Sequence, residues 1–193
     1  METIVQNCKI KSFSKPLPQR GFYIPKLCIL LFMKEHKFEF QYEIYNDSSE
    51  LKKEDAELLG KARAVTKYAY APYSDFRVGA AGMLVNGEII SGTNQENASF
   101  PVGICAERVL LGAAASMHPG IPIETIAVSY DSDNVSTDHP ISPCGMCRQA
   151  LIEQETRFHQ PIRLILSGQQ GKVLIIRSAV SLLPFAFTGD ELE

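Results

Sequence analysis

From residue 48 onward the apolar positions fall into regular patterns. Leu51, Ala56, Leu58, Leu59, Ala62 and Val65 share one helical face, which predicts a helix with a buried stripe. Ser48 or Ser49 is the candidate cap, acidic residues fill the first turns, and the helix should end before Pro72. Residues 78–85 (VGAAGMLV) read as a strand, Asn86-Gly87 as a tight hairpin turn, and 88–91 as the returning strand. Residues 94–103 form a polar loop. The stretch 105–117 (CAERVLLGAAASM) is small or apolar on most sides, so it is predicted to be a helix buried all round. His118-Pro119-Gly120 stops it. A strand at 124–130, a loop at 131–143 and a helix at 145–158 follow. Strands at 162–166 and 173–176, with Gly168 and Gly171 in the turn between them, precede a short helix at 179–183. This order predicts an α/β fold, a three-layer α-β-α sandwich with a mixed five-stranded sheet.

Residues 1–32 do not continue these patterns. Three prolines (Pro16, Pro18, Pro25) interrupt them, and five basic residues stand against one acidic residue. Residues 1–47 therefore read as a poorly ordered N-terminal extension with Met33 as a candidate true start, and 48–193 as the domain proper. The local charge of +4 leaves −7 for the remainder of a chain whose net charge is −3. An acidic body argues against a nucleic-acid groove, which needs clustered Lys and Arg. The longest apolar run, residues 27–33, is far shorter than the ~20 residues of a membrane span. Lys34, Glu35, His36 and Lys37 follow it, so no small-residue cleavage site is present. The default expectation is a cytoplasmic protein without membrane partners.

The five cysteines, Cys8, Cys28, Cys105, Cys144 and Cys147, are an odd count that does not suggest a disulfide framework. Cys105-Ala106-Glu107 and Pro143-Cys144-Gly145-Met146-Cys147 form the central constellation. Each cysteine lies at or near a predicted helix start, and Cys144 and Cys147, three apart, share a face. Three thiolates would hold zinc and leave a fourth position for water, the arrangement of a catalytic site. Glu107, two residues from a ligand, can reach that water. The alternative is a structural zinc module that binds a partner protein, with His139 as the candidate fourth ligand. Glu107 discriminates, because a structural site has no use for a neighbouring carboxylate. His36, His118 and His159 read as surface or turn residues.

This Cys-x-Glu … Pro-Cys-x-x-Cys pattern resembles that of the zinc-dependent cytidine deaminases, of the three-cysteine homotetrameric type. The likeness extends through Ala71-Pro72-Tyr73-Ser74-Asp75-Phe76-Arg77-Val78-Gly79, the loop Asn94-Gln95-Glu96-Asn97, and Leu182-Leu183-Pro184 followed by Phe187. It implies a hydrolase that converts cytidine and deoxycytidine to uridine and deoxyuridine plus ammonia in pyrimidine salvage. The cofactor would be Zn²⁺, and Glu107 would carry the proton from a zinc-activated water to the base. By the same resemblance Asn94 and Glu96 grasp the ribose and Phe76 packs against the pyrimidine. Backbone groups at Ala106 and Ser142 read the pyrimidine edge, and Phe187 closes a neighbouring subunit's site. Arg108 and Arg148 would donate to the ligand sulfurs and offset their charge. Phe100 stands where many relatives carry tyrosine, which removes a hydroxyl. A deaminase of an aminonucleoside antibiotic such as blasticidin S shares the zinc site and is the runner-up, although the Asn94-x-Glu96-Asn97 loop favours plain nucleosides. The run Gly112-Ala113-Ala114-Ala115-Ser116 would let a second helix approach closely, in keeping with a homotetramer.

Overall fold

Neighbouring residues on the central strands part to opposite sides. Ala80, Ile126 and Leu164 join one buried cluster, while Ala81, Ala127 and Ile165 join the other. This two-residue period gives a sheet apolar on both faces, which must be covered on both. In the computed structural model, which describes residues 35–192, helices supply that cover. The segment 1–32, the candidate start at Met33, and Cys8 and Cys28 lie outside the described residues.

The strands are β1 (Tyr42–Tyr45), β2 (Arg77–Leu84), β3 (Ile89–Thr93), β4 (Ile123–Asp131), β5 (Arg163–Ser167) and β6 (Val173–Ile176). Their order is β1-β6-β5-β4-β2-β3. All neighbours are antiparallel except β4 and β5, so the sheet is mixed. Helix α1 (Lys53–Val65) covers one face through Leu58, Leu59 and Ala62. Helices α2 (Ala106–Met117) and α3 (Gly145–Phe158) cover the other through Leu110, Ala114 and Leu151. Glycines permit the close approach. A Cβ on Gly92 of β3 would lie 2.5 Å from the Ala106 carbonyl oxygen and 2.5 Å from the Leu110 nitrogen, both on α2. A Cβ on Gly79 of β2 would strike the Ala62 carbonyl of α1.

The three-layer architecture is as expected, with four local differences. The sheet has six strands, because Tyr42–Tyr45, inside the stretch read as extension, pairs antiparallel with β6. Four residues at a sheet edge, with Tyr42 and Ile44 exposed, leave only a faint apolar signal. Ser48–Glu50 is a separate 3-10 turn capped by Asp47, whose carboxylate accepts from the Ser49 N–H at 2.6 Å. Helix α1 begins at Lys53 without a side-chain cap. The segment Ala179–Leu182 is 3-10 rather than α. Finally, α2 is not buried all round within one chain. Gly112, Ala115, Ser116 and Met117 are exposed, because the sheet and α3 cover only the side bearing Leu110, Leu111 and Ala114.

Candidate metal centre and cleft

Two helix starts bring the thiols together. Cys105 is the N-cap of α2 and Cys144 the N-cap of α3, while Cys147 lies in the first turn of α3. The Cys105 and Cys144 sulfurs are 3.7 Å apart, and those of Cys144 and Cys147 3.5 Å. All three lie within 4.8 Å of one another. A disulfide needs ~2.05 Å. A tetrahedral zinc site with Zn–S bonds of ~2.3 Å has sulfur–sulfur edges of roughly 3.8 Å. The donor set therefore fits zinc in type and spacing. Among the described residues no other His, Cys, Asp or Glu joins the cluster. His139, considered above as a fourth ligand, instead sets its ring nitrogens 3.3 Å from the Tyr130 hydroxyl. His118 pairs with Glu88 at 2.7 Å, and His159 closes α3 in the left-handed region at φ 49°.

The electrostatics suit a thiolate centre. A hydrogen bond from Cys147 holds the Cys105 thiol at about 6, against the opposing effects of burial and Glu107, with Cys144 and the Arg108 charge adding to the lowering. The Cys147 thiol is pushed up, by that same bond to Cys105 and then by burial. Glu107 is 5% exposed, and burial raises its carboxyl above the ordinary range.

A cleft of about 510 Å³ opens at the thiols. Cys105, Cys144 and Glu107 line one part, and Phe76, Asn94, Glu96 and Ser142 line others. Most residues singled out in the sequence thus share one cavity. Phe76 is stacked on Tyr130, with ring centroids 4.9 Å apart and planes at 18°. The turn before it is clamped by Arg77, which donates to Asp75 at 2.6 Å and to Asp133 at 3.2 Å. Asp75 itself sits at φ 55°, a left-handed conformation that aspartate tolerates. The Asn94 amide accepts from Val78 N–H at 2.7 Å and donates to the Phe76 carbonyl at 2.8 Å, so it is fixed against β2. Glu96 accepts from the Tyr73 N–H at 2.8 Å and from the Ser74 hydroxyl. The Ser74 bond is the main reason its carboxyl lies below the usual range.

Three residues lie elsewhere. Arg148 donates to the Pro143 carbonyl at 2.8 Å and the Leu182 carbonyl at 3.1 Å, not to sulfur. Arg108 lines a separate hollow with Gly145 and Met146, where it acts on Cys105 through charge. Phe187 is 59% exposed and outside the cleft, with its carbonyl accepting from Gln149 at 2.7 Å. Sequence reasoning had assigned no role to Ser74 and Tyr130, which position Glu96 and Phe76. Ser74 lies in the stretch 71–79 that carried the resemblance, whereas Tyr130 looked like any other core residue of a strand.

A three-thiolate centre sharing a cleft with a buried carboxylate is the equipment of a zinc-dependent hydrolytic deaminase. Comparison with known proteins agrees. Residues 52–159 match the family model of the cytidine and deoxycytidylate deaminase zinc-binding region. A cytidine deaminase of Halalkalibacterium halodurans is 36% identical over 136 residues, covering 70% of this chain and 96% of that protein. One of Mycobacterium tuberculosis H37Rv is 33% identical over 138 residues, covering 70% and 90%. The crystal structure of cytidine deaminase from Burkholderia pseudomallei superposes with a TM-score of 0.60 at 37% identity, over 71% of this chain and 100% of that one. The chain belongs to the cytidine and deoxycytidylate deaminase family, and its cofactor is zinc.

Proposed function

We propose that this protein hydrolyses the 4-amino group of cytidine and deoxycytidine, giving uridine and deoxyuridine plus ammonia, in pyrimidine salvage. The observation that carries this reading is the buried Glu107 carboxyl in the same cleft as the three thiols. Zinc held by Cys105, Cys144 and Cys147 supplies Lewis acidity that makes water nucleophilic near pH ~7. Glu107 takes the proton that water gives up on adding to C4 and delivers it to ring N3. It then assists the amine as the C4–N bond breaks. Burial raises its pKa above the ordinary carboxylate value, which favours a carboxyl that accepts and returns the proton. Phe76, fixed by its stack on Tyr130, offers a ring face to the base. Asn94 and Glu96 keep unused hydrogen-bonding capacity beyond their backbone contacts, and this suits them to sugar hydroxyls.

The family spans nucleosides and nucleotides, and the cleft favours the former. Its lining has two glutamates and no Lys, Arg or His to receive a phosphate. Assembly as a cytoplasmic homotetramer completes the proposal. Support comes from the exposed small residues Gly112, Ala115 and Ser116 on α2 and the hollow of about 560 Å³ beside Met146 and Ala150. Phe187, exposed and away from its own cleft, is free to close a neighbour's. Free thiols suit a reducing compartment.

The test is ultraviolet absorbance with cytidine, alongside metal analysis. Glu107→Gln should lower turnover by at least ~10²-fold with stoichiometric zinc retained. Near-normal turnover in that variant, or full activity in protein without zinc, overturns the proposal.

A further inference from the structure

Helix α3 grips the C-terminal segment at both ends of one short turn. Glu155 is buried, and its carboxylate accepts from Ala179 N–H at 2.7 Å, Val180 N–H at 3.3 Å and the Ser178 hydroxyl at 2.9 Å. It also accepts from Ile162 N–H at 2.6 Å at the entrance to β5. Arg148 stands two helical turns earlier on the same side of α3. Its Nη1 donates to the Leu182 carbonyl at the far end of the turn, 3.1 Å away. The 3-10 turn Ala179–Leu182 is thus held by a carboxylate at its N–H end and a guanidinium at its carbonyl end, the polarity its peptide dipoles favour.

The same guanidinium makes one other bond. Its Nε donates to the Pro143 carbonyl at 2.8 Å. That carbonyl belongs to the peptide plane that ends at the Cα of Cys144, so holding the oxygen fixes the rotation of the plane from which Cys144 departs. Of the three ligands Cys144 is the exposed one, while Cys147 is buried within regular helix. A planar fork can hold two carbonyls at once, which a lysine ammonium on a flexible stem does far less well.

We propose that Arg148 is a positioning residue for the zinc ligand Cys144, and that the Ala179–Leu182 turn, anchored by Glu155, is the brace that aims it. The inference rests on the zinc reading above. The residues nearest the ligands in sequence gain their orientation from a segment 34 positions downstream.

The experiment is zinc release from loaded protein into excess chromogenic chelator, with the melting temperature measured in parallel. Arg148→Gln should release zinc ~10-fold faster or more, the range for loss of a group supporting a metal ligand. Arg148→Lys should recover part of the difference. Glu155→Gln should accelerate release by a smaller factor. If it does not fold, Ser178→Ala, which removes one donor to Glu155, should shift release in the same direction. Arg163→Gln is the control: it breaks the 2.6 Å pair with Asp55 on α1 and should lower the melting temperature without changing release. Release from Arg148→Gln within twofold of the parent, or equal acceleration in Arg163→Gln, overturns the proposal. Parent protein that takes up no zinc refutes the zinc reading itself, so the two failures are distinguishable.

Discussion

Gly92→Ala should damage activity from a residue that touches no substrate. Gly92 lies on β3, and an added Cβ would stand 2.5 Å from both the Ala106 oxygen and the Leu110 nitrogen. These are main-chain atoms of α2 and cannot swing aside. Ordinary contact begins near 3.4 Å, so strand and helix must separate by about 0.9 Å. Overpacking of this kind costs about 1–3 kcal/mol, a fall of several degrees in Tm for a domain of this size. The larger effect concerns chemistry. The clashing turn begins with Ala106, between Cys105 and Glu107, so the shift moves a zinc ligand and the proton carrier against Cys144 and Cys147. A displacement of ~1 Å at reacting groups can cost ~10²-fold. The expected kcat/KM for cytidine is therefore about two orders of magnitude below the parent, at a temperature well under the variant's Tm. Gly60→Ala is the comparison, since its Cβ meets nothing within 4 Å on α1. It should keep full activity and gain roughly 0.5–1 kcal/mol. A folded Gly92→Ala protein with activity within threefold of the parent would refute the idea that β3 sets the position of α2.

Other outcomes follow from the site. Asn94→Ala and Glu96→Ala should raise KM for cytidine while zinc content stays stoichiometric, and free cytosine should be a poor substrate; efficient cytosine turnover would count against a sugar-binding loop. Burial raises the Glu107 pKa, so in metal-free protein its contribution to stability is present below the ordinary value of about 4.3 and is lost as pH rises through the raised one. Chelator-treated Glu107→Gln should therefore outlast the chelated parent at neutral pH, with the gap closing in acid; equal melting curves at both pH values would contradict this. Light scattering should give a tetramer mass, and mixed tetramers of Glu107→Gln and Phe187→Ala subunits should recover activity that neither has alone. A monomer mass, or no recovery in verified mixed assemblies, would remove Phe187 from the neighbour's site.

Much of the centre was legible because its residues lie close in sequence and carry unusual chemistry. Cys105 and Glu107 stand two apart at the start of one helix, and Cys144 and Cys147, three apart at the start of another, share a helical face. The cover on both sheet faces could be read from the order of elements, helix, hairpin, helix, strand, helix, strand, strand. What stayed hidden was long-range. Arg148 next to a ligand invited a bond to sulfur, but its partners are the Pro143 and Leu182 carbonyls, and backbone oxygens carry no residue identity to read. Asp47 rather than Ser48 caps the first turn, because the two are interchangeable as caps and only the local backbone chooses. Strand β1 was passed over because an edge strand shows one buried side at most, and here even Glu43 and Tyr45 are only half-buried.

The pairing of β1 with β6 sets the order in which this domain can be built. The earliest and latest strands of the sheet lie side by side, Tyr42 opposite Ile176 and Tyr45 opposite Val173. During synthesis β1 leaves the ribosome before the other five strands and stays without its partner until β6 has emerged. Its exposed Tyr42 and Ile44 and its open backbone edge are a hazard for that interval. A ribosome stalled before Val173 would release a chain lacking β6, and with it both the seat of β1 and one border of β5. Completion of the sheet thus waits for Val173–Ile176, and a chain ended before them exposes two unpaired edges, one on β1 and one on β5.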